Sequence, residues 1–125
     1  MEYDLIIIGA GPAGTAAGIY AARKKLSTLL VAYEFGGQSV VSPDIQNWTG
    51  TPSISGANLA LNFKKHLEAY AGNVLTIKEG EKVVTVSKDG GGFLITTDQG
   101  GTYSSKTILV ATGSDRRKLA APGAD

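Results

Sequence analysis

Cysteine is absent from this chain of 125 residues, which excludes disulfide staples, thiolate metal sites and a Cys-x-x-Cys redox pair within it. Histidine occurs once, at His66, so a metal site built from His and Cys is not expected. Charge is scarce and balanced. With 18% charged residues and a net charge of +1 there is no basic field for nucleic acid and no acidic tail. No apolar run approaches the ~18 residues of a membrane span. The chain opens at Met1 and enters its first apolar run by Tyr3, leaving no room for a signal peptide. A cytoplasmic protein with neither a nucleic-acid nor a membrane partner is the expectation. No repeat of solenoid length is visible. One domain remains, large enough to bury roughly two thirds of its unfolded surface.

The richest stretch is the first thirty-four residues. An apolar run, Tyr3 to Ile8, breaks at Gly9-Ala10-Gly11-Pro12-Ala13-Gly14. A helix pattern of small residues follows to about Lys25, then a second apolar run, Thr28 to Ala32, and then Glu34. Strand, glycine loop, helix, strand and acid in that order form the βαβ unit that binds a dinucleotide. Gly9 allows the tight turn out of the strand, Gly11 has no Cβ to block a pyrophosphate, and Gly14 lets the helix lie close on the strand. Pro12 is tolerated because the first helical N–H groups have no intrahelical partner, and those groups face the anion. Glu34, twenty residues after Gly14, is placed to accept hydrogen bonds from an adenosine ribose and to repel a 2′-phosphate. Arg23, Lys24 and Lys25 complement the helix dipole in its last turn.

Beyond Glu34 the polar stretch with Phe35-Gly36-Gly37-Gln38 and Gln46-Asn47-Trp48-Thr49-Gly50 has neither helical nor strand period and reads as an ordered loop. Gly36 and Gly37 permit close approach of backbone to a ligand, and Gln38 and Asn47 have the groups to hydrogen-bond one. The same residues also suit a plain surface loop whose glycines serve only turns. Ser55 fits as N-cap of a helix to about Ala71, with Leu59, Phe63, Leu67 and Tyr70 on one face and Gly72 ending it. His66 is expected at the solvated edge of that helix. Asn73 to Lys78 reads as a short parallel strand. Lys82–Val86, Phe93–Thr97 and Thr102–Ser104, joined by glycine turns, read as a β-meander over one face of the parallel sheet. Thr107 to Ala111 is the next buried strand, ending in Thr112-Gly113 at the carboxyl edge, where ligands sit in open parallel sheets. Arg116, Arg117 and Lys118 read as solvated, and Pro122-Gly123 as a linker-like turn.

Together GAGPAG at 9–14, IYAARKKL at 19–26, FGGQ at 35–38, DIQNWTG at 44–50, ILVATGS at 108–114 and APGAD at 121–125 resemble the FAD-binding half of the thioredoxin reductase family. That family includes the flavoprotein subunit of alkyl hydroperoxide reductase. The resemblance implies an α/β, Rossmann-like, FAD/NAD(P)-binding three-layer domain with a parallel sheet and an inserted antiparallel β-meander. It implies FAD as cofactor. Gly9, Ala10, Gly11, Pro12, Ala13 and Gly14 would hold the pyrophosphate, and Glu34 the adenosine ribose. Gly36, Gly37, Gln38 and Asn47 would line the ribityl and flavin. Val83 would offer backbone to the adenine, and Ala111, Thr112 and Gly113 would pack against the cofactor.

Members of that family continue into an NADPH-binding domain with a Cys-x-x-Cys dithiol, then return to the FAD domain with a Gly-Asp segment. Neither is present here. Residues 1–125 are therefore expected to be the N-terminal portion of an FAD-binding domain from a longer reductase, with a homodimer possible and a sheet edge left unprotected. A free-standing FAD or adenine-dinucleotide module without catalysis is the alternative. An NAD-dependent dehydrogenase ranks below both, since no acid–base residue is placed near a substrate pocket.

Overall fold

The computed structural model describes residues 2–114. Arg116, Arg117, Lys118 and Pro122-Gly123 lie outside the described residues. The elements run β1 (Glu2–Ala10), α1 (Pro12–Arg23), β2 (Thr28–Phe35), a 3-10 helix (Gly37–Val41), α2 (Gly56–Ala71), β3 (Leu75–Glu79), β4 (Val83–Asp89), β5 (Gly92–Thr97) and β6 (Thr102–Val110). They build one six-stranded sheet in the order β3-β2-β1-β6-β5-β4. The first four strands of that order are parallel, and β5 runs antiparallel to both of its neighbours, β6 and β4.

The run Ile6-Ile7-Ile8 has no alternation because both faces of β1 are covered. Ile7 points to the helical side, where it shares a core with Ala22, Leu30, Phe35, Ala60, Leu67 and Leu75. Ile6 and Ile8 point the other way, to a second core with Leu29, Val31 and Ile95. Ile95 belongs to β5, so the meander curls back over the face opposite the helices. Three layers result: helices, parallel sheet and meander. Each fully buried Ile or Leu in these cores contributes about 1.5–3 kcal/mol, which makes the central strands the most resistant part of the domain.

The small residues of α1 do what the sequence suggests. Gly14, Thr15, Gly18, Ala21 and Ala22 are buried, and a Cβ on Gly18 would lie 2.7 Å from the Leu67 side chain of α2. The helix ends at Arg23, two residues before the expected Lys25. Lys25 N–H donates to the Ala22 carbonyl at 3.0 Å and Leu26 N–H to the Ala21 carbonyl at 3.1 Å, a Schellman pair. The price is a lysine at φ +61° in the position that favours glycine. Lys25→Gly is accordingly expected to stabilise the domain by about 0.5–1 kcal/mol, the left-handed penalty less the greater backbone entropy of glycine. A urea midpoint at or below that of the parent would contradict this account.

Ser55 caps α2 as expected, its side chain accepting from Asn58 N–H at 3.1 Å, and Gly72 closes the helix at φ +47°. Leu59, Phe63 and Leu67 are buried, but Tyr70 is 46% exposed and off the core face. Its ring instead meets His66 at 5.6 Å and the Arg23 guanidinium at 5.9 Å. The expected separate strands Thr102–Ser104 and Thr107–Ala111 are one strand, β6. Its first half pairs with β5 from Thr102 to Ser105, and it pairs with β1 from Ser104 to Val110. From Lys106 to Val110 its only strand partner among the described residues is β1. On that stretch Leu109 is 40% and Val110 64% exposed.

Candidate functional site

Three backbone segments meet at the carboxyl edge of the parallel strands. The first is the glycine loop. Gly9, at φ +115°, is closed over by β6: a Cβ there would run into the Ala111 carbonyl, whose own N–H donates to the Ile8 carbonyl at 2.8 Å. Gly14 lies directly on the Gly9 carbonyl, so the first turn of α1 rests against the strand it has just left. Gly11 differs from both. It is the N-cap of α1 in ordinary extended backbone (φ −77°, ψ −165°), and a Cβ there would have the Cα of Gly37, 3.8 Å away, as nearest neighbour. No side chain caps α1 and no acid stands in its first turn, so the N–H groups of Ala13 and Gly14, just after Pro12, have no intrahelical acceptor. The positive end of the helix dipole thus carries no side-chain cap.

The second segment is the Gly36-Gly37-Gln38 loop, ordered as expected but leading into a 3-10 helix where the sequence has no helical period. Gly36 N–H donates to the Ala10 carbonyl at 2.8 Å, and Gly37 faces Gly11. The chain then enters the 3-10 helix, of which Gln38 is a part. Glu34 is exposed, one residue before Phe35, which is in register with Ala10. It therefore stands at the level of the glycine loop, on the neighbouring strand.

The third segment is the end of β6. Ala111 sits over Gly9, and Thr112 lines a groove of about 180 Å³ with Ile8, Val110 and the meander residues Val83 to Val86. Gly113 follows in left-handed backbone at φ +64°. Val83 thus reaches the same edge as the glycine loop, across the sheet from α1. Ile8 and Val110 join the site here, beyond the residues that the sequence marks. They occupy the last apolar positions of two adjacent parallel strands, and that is the signal that marks them.

Asn47 stands apart. It belongs to the 44–54 loop, where Ile45 bridges Ile54 and Trp48 bridges Thr51, and it lines a hollow of about 460 Å³ made by residues 46–52 alone. The Trp48 ring packs on Phe63 of α2 at 5.3 Å, which ties the loop down. Asp44 organises its base, accepting from Ser53 Oγ at 2.5 Å and Gln46 Nε2 at 2.8 Å. Those two bonds, Ser53 first, hold the Asp44 carboxyl below the usual aspartate range. A depressed folded pKa means stabilisation that is complete above the ordinary carboxylate pKa and is lost as pH falls through the folded value. The loop is expected to loosen only on that acid side, with Asp44→Asn weakening it already at neutral pH. Trp48 is the one tryptophan of the chain, so its fluorescence reports the change directly. A Trp48 signal with no acid transition, unaltered in Asp44→Asn, would refute the assignment.

A parallel sheet with a glycine turn after β1, an uncapped helix N-terminus, an acid on β2 and a meander over the far face define a Rossmann-like, nucleotide-binding α/β domain. Within that class the chain belongs to the pyridine nucleotide-disulphide oxidoreductase family, which matches over residues 3–125. An alkyl hydroperoxide reductase subunit from Escherichia coli (strain K12) is 38% identical over 123 residues, covering 98% of this chain and 24% of that protein. Its counterpart in Staphylococcus aureus (strain NCTC 8325 / PS 47) is 35% identical, covering 97% and 23%. Among solved structures, thioredoxin reductase of Lactococcus lactis in its FR conformation superposes with a TM-score of 0.88 at 33% identity, covering 98% of this chain and 39% of that one. The Streptococcus pyogenes MGAS5005 thioredoxin reductase gives 0.85 at 35% identity, with the same coverage. The chain thus spans about a quarter of the curated relatives' length and about two fifths of the solved reductases. No helix among the described residues is long and apolar enough to cross a membrane.

Proposed function

We propose that this chain is the FAD-binding portion of a thioredoxin reductase-like flavoprotein that carries electrons from NAD(P)H to a disulfide in a longer chain. One observation carries the reading: Gly11 and Gly37, from two separate loops, face each other across a gap that side chains on either would occupy, beside the uncapped N-terminus of α1. The fit to a dinucleotide is chemical as well as spatial. The first-turn N–H groups of α1 meet a pyrophosphate, and Glu34 on β2 meets an adenosine ribose. Gly36, Gly37, Gln38 and Asn47 attend the ribityl and flavin, Val83 the adenine, and Ala111, Thr112 and Gly113 close the edge beside it. FAD, when bound, supplies the two-electron redox chemistry; the protein supplies position and electrostatics.

Disulfide reduction also needs a nicotinamide site and a thiol pair, and cysteine is absent here. An NADPH domain in further chain is the partner this reading requires. The open side of β6 from Lys106 to Val110, with Leu109 and Val110 uncovered, supports further chain completing the sheet. The lack of cysteine equally favours a second reading, a free-standing adenine-dinucleotide module without catalysis.

Titration of the purified chain with FAD, beside NAD, followed in the visible absorption of the flavin, tests both. Saturable FAD binding with NAD inert supports the flavoprotein reading. Equal binding of the two favours the general module. Binding of neither overturns the site.

A further inference from the structure

The Gly36-Gly37 loop and the 3-10 segment after it lie against the start of α2, where Ala60 and Gly56 meet them. Gly56 opens the helix and is buried under the 3-10 segment. Its N–H donates to the Ser42 carbonyl at 2.9 Å, and a Cβ on it would run into the Ser39 carbonyl and lie 3.0 Å from that of Ser42. One helical turn on, Ala60 lies beneath Gly36: a Cβ on Gly36 would stand 2.6 Å from the Ala60 methyl. Ser39 N–H in turn donates to the Gly36 carbonyl at 3.2 Å, and Gly36 N–H to the Ala10 carbonyl at 2.8 Å. A continuous backbone path therefore runs from the start of α2, through the 3-10 helix, to Gly37 and the face of Gly11.

We infer that Gly56, with Ala60 beside it, is a positioning residue for the cofactor. By letting α2 press against Ser39 it fixes the separation of the Gly37 and Gly11 backbones before any ligand arrives. The inference rests on the FAD reading above. Local propensity points the other way, since alanine is a better helix former than glycine. The glycine is explained by contact with the 3-10 segment and by nothing within the helix. A methyl at Gly56 makes the 3-10 segment shift and moves Gly37 with it. Removing the Ala60 methyl withdraws the support under Gly36. Preorganised backbone binds more tightly than backbone the ligand must order, so both changes weaken FAD without touching it.

The test compares four variants of the full chain by FAD titration and by thermal melting without ligand. Gly56→Ala and Ala60→Gly address the clamp. Gly18→Ala crowds α1 against Leu67 away from the loop, and Ala69→Gly carries the same helix-propensity loss at an exposed site of α2. The expected result is FAD affinity reduced at least tenfold in Gly56→Ala and several-fold in Ala60→Gly, with both controls within twofold of the parent. If Gly56→Ala does not fold, Ala60→Gly against Ala69→Gly decides. Losses that simply follow the fall in melting temperature across all four, or no loss in the clamp variants, overturn the inference while leaving the FAD reading intact. Failure of the parent chain to bind FAD overturns the reading and the inference together.

Discussion

Gly14→Ala is expected to lower the melting temperature by roughly 10 °C or more, although it places a better helix former in the first turn of α1. Two effects oppose each other here. Exchanging glycine for alanine in a helix interior ordinarily gains about 0.5–1 kcal/mol. Against it stands the Gly9 carbonyl, which occupies the place a Cβ at Gly14 would take. This neighbour is backbone, locked in turn under Ala111, and it cannot swing aside as a side chain can. Overpacking of an unyielding contact costs about 1–3 kcal/mol and occasionally more, and here the high end applies because α1 must lift from β1 as a body. The clash wins. For a domain of this size a net loss of about 2–3 kcal/mol corresponds to the stated fall. Gly18→Ala gives the comparison, since its Cβ would meet only side-chain ends, that of Leu67 at 2.7 Å and that of Leu30 at 3.4 Å foremost, and it should cost less. Circular-dichroism melts of the two variants decide the matter. A Gly14→Ala protein as stable as the parent would mean that helix and strand are not locked together at this point.

Gly11→Val is expected to leave the domain folded and to reduce FAD affinity at least a hundredfold. The contrast with Gly14 is geometric, since both belong to the same motif. Gly11 has a backbone conformation open to any residue, and its Cβ direction leads toward the opening beneath Gly37 with nothing closer than 3.8 Å. The folding cost is confined to a poorer N-cap, about 1 kcal/mol. A pyrophosphate held by the first N–H groups of α1 has to approach the backbone where the valine methyls would stand. Gly11→Ala grades the effect, with a smaller loss of affinity and an unchanged fold. Parallel melts and FAD titrations separate the two quantities. Affinity retained in Gly11→Val would remove the glycine loop from the binding site, whatever the fold resembles.

The parts of this domain that could be read from sequence are those whose causes are local. The β1–glycine loop–α1–β2 unit follows from an apolar run, three glycines and a helix of small residues within one stretch of chain, and the order of its elements matches that expectation, while β1 and β2 run on to Ala10 and Phe35 and α1 stops at Arg23. The meander was legible from its alternation and glycine turns. The unity of β6 was not, because Ser104-Ser105-Lys106-Thr107 interrupts the apolar pattern. Those polar residues sit where the strand passes from β5 to β1. Ser105 is fully buried and its Oγ donates to the Thr107 carbonyl at 2.8 Å, while Thr107 Oγ1 donates to the Asp4 carbonyl at 2.6 Å. Continuity there is carried by hydrogen bonds to two different partners, which a period count does not register. Gly92 shows the same limit. It reads as a hairpin residue, yet a side chain on it would also meet the Ser105 carbonyl across the sheet. Tyr70 fails for another reason: its heptad-like spacing is correct, but the last turn of α2 meets the Arg23 side chain there instead of the core. Asn47 is marked by its hydrogen-bonding groups and by the family resemblance, and it lies on the 44–54 loop, whose Ile45–Ile54 and Trp48–Thr51 bridges have no period in the sequence.

The pairing of β6 with β1 also dictates an order of assembly. Thr107 and Asp4, joined by a hydrogen bond, are 103 residues apart in the chain. During synthesis β1, α1 and β2 emerge first and have what they need to associate locally, but the other side of β1 stays unpartnered until β6 has been made. Through that interval Ile6, Ile7 and Ile8 form an exposed, β-prone edge of the kind that aggregates. Closing so long a loop is also entropically slow compared with forming the meander hairpins. Folding of this domain thus waits on the arrival of one strand, and the nascent chain is most in need of a chaperone just before β6 leaves the ribosome.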